Sequence, residues 1–206
     1  MTSPKQFRQL FLTGPPGVGK TTAVRKIVES LLQDPAKFKR PLKIGGFYTE
    51  EIRERGRREG FRVVSIGGSD SGKEKESKKS VILAYKPSPT MPAPPNAPRV
   101  GQYAVHCKEF DEASVKMLEV PCDIMALDEL GKMESFCAGF VGKLEEFFKS
   151  ESRPFVLGTV PFKPGVRIAD AARKRSDSFV IELSVHNRDQ KTLEALEFVC
   201  GALKLK

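Results

Sequence analysis

No stretch of this chain comes near the roughly 18 apolar residues in a row that a bilayer-spanning helix needs, which excludes transmembrane anchoring by that route. The four cysteines, Cys107, Cys122, Cys137 and Cys200, contain no CxxC pair and have no histidine at zinc spacing. They read as free intracellular thiols rather than as a metal or disulfide framework. Only two histidines occur, His106 and His186, each without a partner at motif spacing, so neither is assigned catalytic work. Acids are absent from the opening MTSPKQFRQLFLTGPP, a composition that suits a transit peptide. Residues 7–13, however, are required as a strand, which leaves little to cleave. The chain therefore reads as cytoplasmic, and nothing in it bars a share in the nucleus. No internal repeat is found.

What is present describes one ordinary globular domain over residues 1–206, with 39% hydrophobic and 30% charged residues. The net charge of +9 suits polyphosphates and also nucleic acid. Its cations are scattered and interleaved with acids at 50–59 and 73–79, so nucleic acid is the less favoured partner, though charge alone leaves it open.

Strands and helices alternate. QLFLT (9–13) is a buried strand, and residues 20–33 set Ala23, Val24, Ile27, Val28 and Leu31 on one helical face, with Asp34-Pro35 as the stop. IGGFYTEEI (44–52) and FRVVSI (61–66) read as a hairpin joined by a charged turn, and VILAY (81–85) as a further strand. Residues 67–98, rich in Gly, Ser, Lys and Pro, cannot build a core and read as a disordered or loop insert, its proline-rich end partly polyproline II. CDIMALDEL (122–130), RPFVLGTV (153–160) and SFVIEL (178–183) are apolar strands. Helices are expected at 136–150, around 166–174, and at 187–203 with Asn187 as cap. The pattern predicts an α/β fold with a mostly parallel central sheet flanked by helices.

The strongest chemical signal is Gly14-Pro15-Pro16-Gly17-Val18-Gly19-Lys20-Thr21, a full GxxxxGK[ST] match between an expected strand and an expected helix. Glycines let the backbone wrap phosphate oxygens, and the helix start adds its positive end. Lys20 is expected on the β and γ phosphates and the Thr21 hydroxyl on Mg²⁺. The second signal is the apolar run ending at Asp128-Glu129. Asp128 would hold Mg²⁺, and Glu129 would orient water or take its proton. A second acid is of more use to a hydrolase than to a phosphotransferase, which must exclude water. Transition-state charge also wants a cation. Lys132, nearest the acids in sequence, leads the candidates, followed by Arg53, Arg57, Arg58, Arg167 and Arg188. Thr159 is equally a γ-phosphate sensor or a plain strand-end threonine. Tyr48 and Tyr103 could stack on a base, but packing is the better reading of each.

GPPGVGKTT (14–22), GGFYTEEIRERGRREGFRVV (45–64), RVGQYAV (99–105), LDELGKME (127–134) and VLGTVP (156–161) together resemble the small P-loop nucleoside-triphosphatase family first described in thermophiles, which includes the vertebrate cancer-related nucleoside-triphosphatase. The resemblance covers most of the chain outside 67–98. It implies a RecA-like P-loop fold and slow, Mg²⁺-dependent hydrolysis of ATP, GTP, CTP and UTP to diphosphate and phosphate. It also implies phosphate contacts from Gly14 to Thr22 and a second nucleotide-contacting stretch from Met125 to Lys132. The long insert and Leu130, where the family pattern has isoleucine, are departures from it. A nucleoside or nucleotide kinase shares the loop and the size. A nucleotide-gated switch would share both and add slow turnover, whereas a larger AAA+ module needs a helical lid for which this chain is too short. A monomer is the default expectation.

Overall fold

The computed structural model describes residues 7–33, 38, 40–67 and 80–204. The expected helix stop at Asp34-Pro35, and most of the expected disorder in 67–80, lie outside the described residues.

The chain folds as two compact units, and the second interrupts the first twice in sequence. The first unit comprises residues up to Ile44, Cys122–Leu130 and Pro154 onward; the second comprises Gly45–Pro121 and Gly131–Arg153.

In the first unit, strands β1 (Gln9–Thr13), β7 (Ile124–Asp128), β8 (Phe155–Thr159) and β9 (Ser178–Glu182) lie side by side in the order β7-β8-β1-β9. Every pairing is parallel, with Leu10 opposite both Leu157 and Phe179 and Met125 opposite Val156. Strands β1, β7 and β8 are buried along their whole length, which is why they read as unbroken apolar runs. Helices α1 (Lys20–Gln33), α4 (Arg167–Lys174) and α5 (Arg188–Lys204) flank this sheet. Helix α1 buries the expected five residues, Ala23, Val24, Ile27, Val28 and Leu31. Burying such a face stabilises by about 1.5–3 kcal/mol for each large aliphatic side chain. Gln9, fully buried at the start of β1, donates from Nε2 to the Ala172 carbonyl of α4 (3.2 Å) and to Ser178 Oγ of β9. The α/β architecture with a parallel, helix-flanked sheet is the one expected.

Among the described residues, the second unit is an antiparallel sheet with two α-helices. Its strands run β5 (Arg99–Val100), β6 (Tyr103–Val105), β4 (Ser80–Tyr85), β3 (Arg57–Ile66) and β2 (Ile44–Glu54), in that spatial order. The β2–β3 hairpin is tighter than expected, because both strands continue through the charged ERGRREG stretch. Only Arg55 and Gly56 turn, both left-handed (φ 47° and 78°), as a two-residue primed turn requires. The charges are absorbed by pairing: Arg62 bonds Glu50 across the strands, and Arg53 and Arg58 both reach Glu51.

Strand β4 was expected, whereas β5, β6 and helix α2 (Cys107–Leu118) were not read from the sequence. Residues 86–98 form neither helix nor strand, though Ser88 and Met91 exchange backbone hydrogen bonds. Helix α3 (Ala138–Lys149) packs on α2, and Phe47, Phe110 and Phe140 meet edge to face at 5.1–5.9 Å.

Candidate active site

Because β1, β7 and β8 are parallel and in register, their carboxyl ends coincide: Leu12 faces Thr159, and Leu127 faces Gly158. One sheet edge therefore carries the glycine-rich loop, Asp128 and Thr159, the edge at which open α/β sheets place ligands.

At the end of β1 the backbone turns at Gly14 with φ 145°. A Cβ there would lie 2.4 Å from the Leu183 carbonyl oxygen, so no other residue fits. Pro15, Pro16 and Gly17 are exposed, and Val18 buries its side chain and ties the loop back to Pro15 O at 3.2 Å. The first α1 hydrogen bond runs from Ala23 N–H to Gly19 O (2.9 Å), so the N–H groups of Lys20, Thr21 and Thr22 precede the helical ladder. These unladdered donors and the helix dipole make the loop an anion cradle. Lys20 Nζ donates to the Gly14 carbonyl at 3.1 Å, folding the ammonium across the loop it serves. Arg188 supports the same loop by donating from Nη1 to Val18 O at 3.4 Å.

Asp128 is 1% exposed and Thr159 is fully buried. The Thr159 hydroxyl donates to Asp128 Oδ1 at 2.5 Å, so the carboxylate is held from the neighbouring strand. The close approach of these strands needs Gly158, where a Cβ would stand 2.7 Å from Leu127 O. Leu130 N–H bonds Thr159 O at 3.0 Å and fixes the segment that carries Glu129. The Asp128–Glu129 peptide is cis. Burial pushes the half-buried Glu129 carboxyl above its ordinary value; Lys20 opposes this, the Asp128 charge adds to it, and Arg173 opposes it. Lys20 and Asp128 thus both act on the Glu129 carboxyl.

Of the cations considered from sequence, Arg167 and Arg188 belong to this first unit, whereas Lys132, Arg53, Arg57 and Arg58 belong to the second. Lys132 is exposed, in the turn ahead of a 3-10 turn at Glu134–Phe136. Arg58 lies over the Phe61 ring (5.3 Å) and bonds Tyr103 Oη (3.1 Å) and Glu51. Tyr48 and Tyr103 are buried, in keeping with packing roles. Asn187 is not the simple cap of α5. Ser184 Oγ accepts the Asn187 N–H and Asn187 Oδ1 accepts the Ser184 N–H, a reciprocal box in which Ser184 is the cap.

The oxygens offered here are hard donors, the Thr21 hydroxyl and the clamped Asp128 carboxylate, and they suit Mg²⁺ completed by substrate and water oxygens. Among the described residues no group of three or more His, Cys, Asp or Glu forms a protein cage for a metal.

The profile of the NTPase family matches residues 9–196. The chain belongs to the NTPase family. It is 34% identical over 191 residues to the cancer-related nucleoside-triphosphatase homolog of Mus musculus, covering 88% of this chain and 91% of that one. It is also 34% identical over 191 residues to nucleoside-triphosphatase THEP1 of Thermotoga sp. (strain RQ2), covering 91% and 93%. In structure it is similar to THEP1 from Aquifex aeolicus, with a TM-score of 0.70, 28% identity, and coverage of 92% and 98%. Membership in the NTPase family agrees with the resemblance, the enzyme class and the fold expected from sequence. No helix among the described residues is long and apolar enough to cross a membrane.

Proposed function

We propose that this chain is a Mg²⁺-dependent nucleoside-triphosphatase of broad base selectivity, slow in turnover, acting as a cytoplasmic monomer. The observation that supports this best is the shared sheet edge, where the phosphate loop, the Thr159-clamped Asp128 and the half-buried Glu129 stand together. Gly14 to Thr22 bind the phosphates, and Lys20 leaves the Gly14 carbonyl for the β and γ oxygens. Thr21 and Asp128 would hold Mg²⁺, which when bound neutralises charge on the β and γ phosphates. Glu129 orients a water whose oxygen attacks the γ-phosphorus, and takes the proton it gives up. The bond from the γ-phosphorus to the bridging oxygen breaks, and its electron pair leaves with the diphosphate. Broad selectivity follows from contacts made to phosphates rather than to the base.

The test is phosphate release from ATP, GTP, CTP and UTP with Mg²⁺ and no acceptor. Wild type should release phosphate from several triphosphates. Lys20→Ala should lose nucleotide binding, while Glu129→Gln should bind nucleotide with turnover reduced at least about 100-fold. Turnover only on addition of a nucleoside or monophosphate would replace this reading with a kinase.

A further inference from the structure

The order β7-β8-β1-β9 gives the phosphate loop, which follows β1, two unlike sides. On one side stand Thr159 and Asp128, the last residues of β8 and β7. A Mg²⁺-binding carboxylate belongs beside the β and γ phosphates. A triphosphate whose γ end meets Asp128 therefore carries its nucleoside toward the other side, where β9 ends and α5 begins.

That corner, residues 183–188, is built directly against the loop at the carboxyl edge of the sheet. Leu183 N–H donates to Thr13 O at 2.8 Å, and the Leu183 carbonyl stands where a Cβ on Gly14 would fall. Several of the corner's polar groups are spent on one another. Ser184 and Asn187 exchange the bonds of their cap box, Arg188 N–H donates to Ser184 O (3.0 Å), and Asn187 Nδ2 donates to Glu182 O (3.4 Å). The side chains left outward are Val185, 68% exposed, His186 and Arg188. Arg188 is anchored: Nη1 donates to Val18 O at 3.4 Å, and Cδ and Nη1 lie 3.9 Å from where Gly19 would carry a Cβ. Among the described residues no carboxylate pairs with it, so a planar cation sits at the loop with its face uncommitted.

We propose that Val185 and Arg188 form the nucleoside subsite, on which the base of the bound triphosphate stacks. This rests on the nucleoside-triphosphatase reading and deepens it. Every base offers a π face, and a guanidinium plane beside an aliphatic side chain accepts any of them. Stacking adds affinity without reading base edges, so selectivity stays broad and is graded by ring size, purines above pyrimidines. Arg188 thereby serves the nucleoside end of the substrate and not the γ-phosphate.

The experiment compares wild type, Arg188→Ala, Arg188→Lys, Val185→Ser and His186→Ala. Calorimetry with Mg²⁺ measures binding of non-hydrolysable ATP and CTP analogues and of inorganic tripolyphosphate, which has no base; phosphate release from ATP and CTP is followed alongside. Wild type should bind the ATP analogue more tightly than the CTP analogue, and both more tightly than tripolyphosphate. Arg188→Ala should lose about tenfold for the ATP analogue, less for the CTP analogue, and under about twofold for tripolyphosphate. Its KM for ATP should rise with kcat nearly constant, the mark of binding shared by ground and transition states. Arg188→Lys should do no better, since it keeps the charge and loses the plane. Val185→Ser, which leaves the Val18 contact in place, should lose about threefold for the nucleotides alone.

Tripolyphosphate bound by wild type as tightly as the ATP analogue would overturn the proposal. Equal losses for tripolyphosphate and nucleotide in Arg188→Ala would do the same, because they mark a residue that only supports the loop. So would full recovery in Arg188→Lys, or a nucleotide-specific loss confined to His186→Ala. A wild type that binds nucleotide but releases no phosphate would defeat the hydrolase reading, and the ratio of nucleotide to tripolyphosphate affinity would still decide the subsite.

Discussion

At the scale of single residues, the site works through contacts that hold a functional group from outside its own element. Thr159 is the clearest case. Its hydroxyl fixes Asp128 from the next strand, and both side chains are shut away from water. Thr159→Val keeps the shape and removes the donor. We expect it to cost about 1–3 kcal/mol of stability by urea denaturation, because a buried acceptor loses its bond. Turnover should fall about 10- to 100-fold, as for other outer partners of metal-binding groups, with the Mg²⁺ requirement moved to higher concentration. Thr159→Ser should recover most of both. The sequence left Thr159 evenly balanced between sensor and strand end, since nothing in VLGTVP says which neighbour its hydroxyl meets. The loop and the acid pair were legible because their chemistry is confined to contiguous residues.

At the scale of elements, the parallel strands were legible from composition, since burial on both faces leaves no polar alternation to confuse the reading. The second unit was less so. Strands β5 and β6 are two and three residues long, too short for a period to show. Helix α2 was hidden by its own start, where His106 offers no side-chain cap. Its Asp111 instead caps a different helix. Oδ2 accepts the Gly139 N–H (3.1 Å) and Oδ1 the Phe140 N–H (2.7 Å) at the start of α3. Gly139 leaves room for this contact: a Cβ there would fall 2.8 Å from the Asp111 carboxyl carbon and push the carboxylate aside. Asp111→Ala should therefore lower stability by about 1–2 kcal/mol, as loss of an N-terminal cap does. Thermal unfolding with and without nucleotide should show the same loss in both, since the phosphate site is built in the other unit.

At the scale of the whole molecule, a net charge of +9 acts on a polyanionic substrate before any contact forms. Raising potassium chloride from about 50 to about 300 mM shortens the Debye length about 2.4-fold and should raise KM for the Mg²⁺-bound triphosphate. The chemical step, screened inside the site, should leave kcat nearly constant. A stopped-flow or steady-state salt series checks both. The strand order has a further consequence, which concerns the ribosome. Strand β1 and the phosphate loop emerge first, yet both strands that flank β1, β8 and β9, are translated only after the last residue of the second unit. Until then β1 has neither neighbour, and Gly14 has no Leu183 carbonyl to pack against. The glycine-rich loop is thus among the first parts of the chain to be made, and the strands that frame it are the last of the sheet, so the loop is anchored only at the end of synthesis.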